Sequence, residues 1–106
     1  MYKVEYLPAA LGDLKEAVAY IARALGSPQA ADELAQKIVA AGESLSSMPY
    51  RKRVYHVAGP LAHEYRVLCV ENYLMFYWVD EDRRIVTIAR VIYRKADAAA
   101  KLRVVE

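Results

Sequence analysis

Apolar residues recur with two different periods along the chain, and the change of period near residue 50 divides it. YKVEYL, residues 2 to 7, alternates and is rich in tyrosine and valine, which predicts a short strand. Pro8 then stands where a first helical residue tolerates a missing N–H. From there Leu11, Leu14, Val18, Ile21 and Leu25 return at intervals of three and four, a stripe for one face of a helix that Gly26 can close with a left-handed cap. Ser27-Pro28 supplies the N-cap and first turn of a second helix, whose stripe is Leu34, Ile38, Ala41 and Leu45, and Met48-Pro49 stops it. A link of only Gly-Ser-Pro makes the helices nearly antiparallel neighbours. Stripes this narrow call for a sheet beneath the hairpin.

After residue 50 the period falls to two. RKRVYHV (51–57) reads as a basic loop entering a strand, broken by Gly59-Pro60. EYRVLCV (64–70), YLMFYWV (73–79) and RIVTIARVIY (84–93) read as three strands, joined by turns at 71–72 and 80–83 that are too short for anything but antiparallel hairpins. The tail has helical propensity over residues 96–102, enough for a helix only if it docks. The pattern thus predicts one α+β domain over residues 1–106, in the order β-α-α-β-β-β. Its antiparallel helical hairpin packs on a mostly antiparallel sheet, and a short C-terminal helix follows. In YLMFYWV, Tyr73, Met75, Tyr77 and Val79 point one way and Leu74, Phe76 and Trp78 the other. Both faces are apolar, so the one the hairpin leaves must be covered by the tail, by a partner, or incompletely.

At 106 residues and 57% hydrophobic, the chain can bury one core. No run approaches the roughly 18 apolar residues of a membrane span and no signal sequence opens it, so a soluble, cytoplasmic protein is expected. Cys69 is alone and only His56 and His63 accompany it, so the sequence offers no disulfide, zinc set or other cofactor site. Within a strand, Cys69 is expected in the core. Net charge is +2, unevenly spread: residues 1–50 sum to −2 and residues 51–106 to +4. The second half therefore either faces something anionic or carries a solvated rim.

Signatures of nucleotide-binding and hydrolytic enzymes are missing: there is no GxGxxG, GxxxxGK or GxSxG. What remains is a cationic and aromatic set on adjoining strands and their ends. It comprises Arg51, Lys52, Arg53, Arg66, Arg90, Arg94 and Lys95, with Tyr50, Tyr55, Tyr65 and Tyr93 close in sequence. Arginine forks match phosphate oxygens and tyrosine rings stack on bases, so the set suits RNA. If an arginine stabilises charge on a transferring phosphate and a tyrosine positions a 2′-hydroxyl, it also suits RNA cleavage without a metal, with Arg66, Arg90, Tyr93 and Arg94 as catalytic candidates. Alternatively Arg66 and Arg90 pair with Glu64, Glu71 or an acidic partner and only solubilise the sheet.

The order and spacing of YLPAA, LGDLKEAVAYIARALGSPQAA, LSSMP and YRVLCVENYLMFYWVDEDRRIVTIARVIYRKAD resemble the RelE/ParE superfamily of toxins from bacterial type II toxin-antitoxin modules. The resemblance implies a growth-inhibiting toxin whose apolar groove takes a segment of a cognate antitoxin, as a helix in a groove or a strand added at an edge. RelE-like members, ribosome-dependent mRNA endonucleases, carry an arginine after the aromatic that opens the third sheet strand, where this chain has Leu74. ParE-like members, which poison DNA gyrase, have a longer hairpin with a D-L…Y-I-A pattern, matched by Asp13-Leu14 and Tyr20-Ile21-Ala22. They also have an N-Y-L-x-F-Y strand, matched by Asn72 to Tyr77. Their last strand usually ends on a His-containing basic motif, whereas VIYRKAD has Tyr93 there.

The pattern thus favours a non-enzymatic, ParE-like gyrase poison. The competing readings are a ribosome-dependent mRNA endonuclease and a homologue that binds its partner without toxicity. For target or antitoxin binding the expected residues are Arg51, Arg53, Arg66, Leu74, Phe76, Trp78, Arg90, Tyr93, Arg94 and Lys95. Reversing Arg66 and Arg90 to Glu is expected to weaken both toxicity and antitoxin binding.

Overall fold

In the computed structural model, which describes residues 1–106, the elements follow the expected order. They are β1 (Lys3–Tyr6), α1 (Pro8–Leu25), α2 (Pro28–Ser44), β2 (Arg66–Val70), β3 (Tyr73–Asp80), β4 (Ile85–Tyr93) and α3 (Ala98–Val104). The helix boundaries fall where the local chemistry sets them. Pro8 opens α1, and Gly26 closes it at φ 59°, a conformation that costs glycine nothing. Ser27 Oγ accepts from the Ala30 N–H at 3.2 Å and starts α2. Asp97 does the same for α3 through Ala100, at 3.1 Å.

The sheet runs β1-β4-β3-β2, with β3 antiparallel to both neighbours and β1 parallel to β4. The hairpin is thus the crossover between β1 and the meander. On its side Ala10, Ala17, Leu34, Ile38 and Leu45 pack with Met75, Tyr77, Val86 and Ile88. On the opposite side Tyr65, Val67, Phe76, Ala89 and Ile92 form a second cluster closed by Leu102 of α3. The tail therefore covers the face that the hairpin leaves. Glu106 anchors it, accepting from the Ala62 N–H at 2.8 Å and the Tyr65 hydroxyl at 2.9 Å. Arg103 donates to the Ala58 carbonyl at 2.9 Å.

Four details depart from the sequence pattern. The buried line of α1 is Ala10, Leu14, Ala17 and Ile21, while Leu11 and Leu25 are 46% and 64% exposed. Small alanines let the helix sit close to the sheet, which rotates the stripe. Residues 51–57 form no strand: a 3₁₀ turn at Pro49–Arg51 leads to one bridge, Val54 to Arg66. Cys69 is exposed because β2 is an edge strand and α3 does not extend over it. Strict alternation also fails in β4. Phe76 pairs with Arg90 but Tyr77 pairs with Ile88, so Ala89 is a bulge residue. Ile88 and Val91 consequently both reach the hairpin side.

Candidate functional site

Three of the arginines singled out by the sequence are engaged inside the fold. Arg51 donates to the carbonyls of Ser44, Ser47 and Met48, at 3.3, 2.9 and 3.2 Å, and so caps the C-terminal end of α2. Arg66 donates to the carbonyls of Lys52 (2.7 Å) and Tyr50 (3.2 Å), and its guanidinium lies over the Tyr50 ring, 5.1 Å from the centroid. Glu64 lies 3.5 Å from it. Arg66 thus holds the 49–55 segment along the edge of β2.

Arg90 is the most completely bound. Its Nε and Nη2 donate to the two carboxylate oxygens of Asp13 at 2.8 and 2.7 Å, and its Nη1 donates to the Lys101 carbonyl at 3.1 Å. Asp13 also accepts from the Val91 N–H at 3.0 Å, on the stretch of β4 that lies past the end of β1. Both side chains are 12% exposed. The hydrogen bonds to Asp13 are the main reason the Arg90 guanidinium holds its proton even more tightly than usual. A single fork therefore ties α1, β4 and α3 together.

The four catalytic candidates are consequently not gathered. Arg66 reaches toward the 49–52 turn and Arg90 toward α1 and α3. Phe76, which separates them in the sheet, is completely buried and belongs to no surface. Trp78 is half-buried under a parallel stack with His63, centroids 3.7 Å apart, and Leu74 is half-buried on the same side. Of the cations singled out by the sequence, those left without an ion pair or side-chain hydrogen bond are Lys52 and Arg53 beside β2, and Arg94 and Lys95 just past β4, next to the 43% exposed Tyr93.

Tyr93 borders a groove of about 380 Å³ between α1, the start of β3, the end of β4 and α3. Asp13, Glu16 and Tyr20 line one wall, Tyr73 and Val91 the floor, and Lys101 the rim. A second hollow of about 260 Å³, lined by Ile21, Leu25 and Leu34, lies toward the closed end of the hairpin, and Tyr73 borders both. Burial is the main cause that pushes the Tyr73 phenol up, with Tyr20 and Tyr93 contributing. The sequence had pointed to Tyr93 alone of these residues as a site residue. Asp13 and Tyr20 stood in the hairpin pattern, but nothing in the spacing of a helix tells which of its polar residues will meet a strand residue 77 positions later.

No curated protein sequence matches the chain. Solved structures do. A chain of the chromosomal ParDE toxin-antitoxin system from P. aeruginosa superposes with a TM-score of 0.71 at 19% identity, over 88% of this chain and 96% of that one. In the toxin-antitoxin complex RelBE2 from Mycobacterium tuberculosis, the matching chain gives 0.62 at 20% identity, over 88% and 98%. In the archaeal RelE-RelB complex from Pyrococcus horikoshii the values are 0.59 at 14%, over 91% and 98%. These likenesses concern the fold. The family described as the ParE toxin of the type II toxin-antitoxin system, parDE, matches residues 4–98, and the chain belongs to that family of toxins.

Proposed function

We propose that this chain is a growth-inhibiting toxin that acts on DNA gyrase by binding it, and that a cognate antitoxin silences it by laying an amphipathic segment in the groove beside Tyr73. The observation that carries the reading is the fate of Arg66 and Arg90. Metal-free RNA cleavage needs cations converging on one phosphate, and these two are drawn to different elements by internal partners. Leu74 adds no cation between them. Membership of the ParE toxin family supports the same target.

The groove supports the antitoxin half of the reading. Its two hollows meet at Tyr73, with exposed Tyr20 and Leu25 on their α1 walls, a chemistry that suits the apolar face of a helix. Similar structures were solved as toxin-antitoxin complexes. Because Arg66 and Arg90 hold the fold, reversing their charge tests folding. The surface test belongs to Arg94 and Lys95, which are exposed next to Tyr93 at the groove's border.

A second reading keeps one observation in its favour: Tyr93, Arg94 and Lys95 form an exposed aromatic and basic group, of the kind that can hold RNA on the ribosome. Induced expression separates the two. Growth arrest with a DNA-damage response and intact mRNA supports gyrase; growth arrest with discrete in-frame mRNA cuts supports ribosomal cleavage. Unimpaired growth contradicts both and leaves a homologue that only binds its partner.

A further inference from the structure

The groove beside Tyr73 carries chemistry that a purely apolar segment would leave unused. Tyr20 from α1, Tyr73 from the start of β3 and Tyr93 from the end of β4 all line it. Tyr73 and Tyr93 meet edge to face with ring centroids 5.8 Å apart. None of the three hydroxyls is hydrogen-bonded within the chain, although those of Tyr2, Tyr50, Tyr65 and Tyr77 are. Two carboxylates stand on the same wall, and they differ in one respect. Asp13 is fully occupied by Arg90 and the Val91 N–H, whereas Glu16, one turn further along α1, makes no ion pair or hydrogen bond. The electron-rich faces of tyrosine rings attract a cation, and an unpaired carboxylate beside them adds a charged acceptor. An anion would face both as repulsion. Two cations oppose that preference: Arg90, which feels the Glu16 charge but whose guanidinium is committed to Asp13 and the Lys101 carbonyl, and Lys101 on α3, where a flexible amine can swing into solvent.

The backbone around the groove adds a second recognition element. β1 pairs with β4 only as far as Ile88, so the edge of β4 over residues 89–93 has no strand beside it. Ladder alternation turns the Val91 and Tyr93 backbone toward that edge, since the Arg94 N–H, one residue on, donates to Asn72 on the β3 side. Asp13 accepts from the Val91 N–H and the Ala96 N–H donates to the Tyr93 carbonyl, which leaves the Val91 carbonyl and the Tyr93 N–H for a partner.

We propose that the groove contains a cation subsite, and that the docking segment of the protein partner carries a basic residue, arginine for preference, among its apolar ones. The basic side chain seats against Glu16 and the three tyrosines. Arginine suits the site better than lysine because a planar guanidinium can stack on a ring while forking onto the carboxylate. This inference rests on the antitoxin reading of the groove, and it gives that partner a recognisable mark: a mostly apolar face interrupted by one positive charge.

The test uses the toxin alone, so that its failure is separable from failure of the antitoxin reading, which co-expression rescue of growth decides. Tyrosine-labelled protein is titrated with N-acetyl-arginine amide, N-acetyl-leucine amide and N-acetyl-glutamate amide while the ring signals are followed by NMR. The expected result is saturable shifts of Tyr20, Tyr73 and Tyr93 with the arginine compound first. Glu16→Gln, a change at an exposed side chain without partners, should weaken that binding by about threefold, and Lys101→Ala should tighten it. Preference for the glutamate or leucine compound, unmoved tyrosine signals with arginine, or weaker arginine binding in Lys101→Ala would each overturn the proposal.

Discussion

Tyr6 and Gly42 show how closely single residues are fitted under the hairpin. The Tyr6 hydroxyl is buried without a hydrogen-bond partner, and a side chain at Gly42 would be driven into it and against Ile88. An unpartnered hydroxyl costs free energy, so Tyr6→Phe should leave stability unchanged or raise it by about 1 kcal/mol. Gly42→Ala should gain up to about 1 kcal/mol of helix propensity yet lose more to overpacking, for a net loss of about 1–2 kcal/mol. That loss should shrink in the Tyr6→Phe background. Urea denaturation of the four proteins of this cycle measures it, and strict additivity would contradict the described contact. The Arg90–Asp13 fork is the second residue-scale case. It is a partly buried bidentate pair that also caps a strand edge, so Asp13→Asn or Arg90→Met should cost about 3 kcal/mol by removing one charge and stranding the other. A shift in denaturation midpoint no larger than that of an exposed pair would show that the fork is not structural.

At the scale of elements, what could be read from the pattern was what local chemistry determines. Pro8, Gly26 and the Ser27 cap place the hairpin's ends, and the short turns impose the meander. The facing of YLMFYWV was also legible, since Tyr73, Met75 and Tyr77 lie with the hairpin and Phe76 opposite. What period could not reveal were events that depend on distant partners: the bulge at Ala89, the rotation of α1, and the capture of Arg66 and Arg90 by carbonyls and a carboxylate elsewhere in the chain. The tail illustrates the boundary between the two. Its helical propensity was visible, but α3 is too short to stand alone, and its stability comes from Leu102, which is fully buried against Tyr65, Phe76 and Ile92. Leu102→Ala should therefore cost about 2–4 kcal/mol, close to a central core position. Glu106→Gln, which keeps an acceptor for Ala62 and Tyr65, should cost only a fraction of that. Thermal unfolding of both variants checks the order of the two effects; equal, small losses would mean the tail is not docked.

For the molecule as a whole, the buried tyrosines set a limit on alkaline stability. Burial is the largest cause raising the Tyr6, Tyr65 and Tyr77 phenols above the ordinary 10.0, helped at Tyr65 by its hydrogen bond to Glu106. A phenol whose pKa is raised in the fold contributes stability that is complete below pH 10.0 and is lost as the pH rises past it. Stability should thus be level through neutral pH and fall above 10, with part of the phenol absorbance appearing only as the chain unfolds; a decline that starts well below 10 would point to other groups. The division of charge between the halves, −2 against +4, was legible from the start. The structure sharpens its meaning, because Arg51, Arg66 and Arg90 of the positive half are engaged inside the fold, while Arg53, Arg94, Lys95 and Lys101 are exposed and unpaired. A protein target met by a small exposed cationic patch fits that distribution better than a phosphate held by convergent arginines. The decisive measurement is a supercoiling and cleavage assay with purified gyrase and the purified chain at micromolar concentration. Loss of supercoiling with trapped cleaved DNA, abolished by charge reversal at Arg94 and Lys95 in a protein that still folds, is the predicted result. Unaltered gyrase activity, alongside arrested translation and cut mRNA in a ribosomal extract, would contradict it.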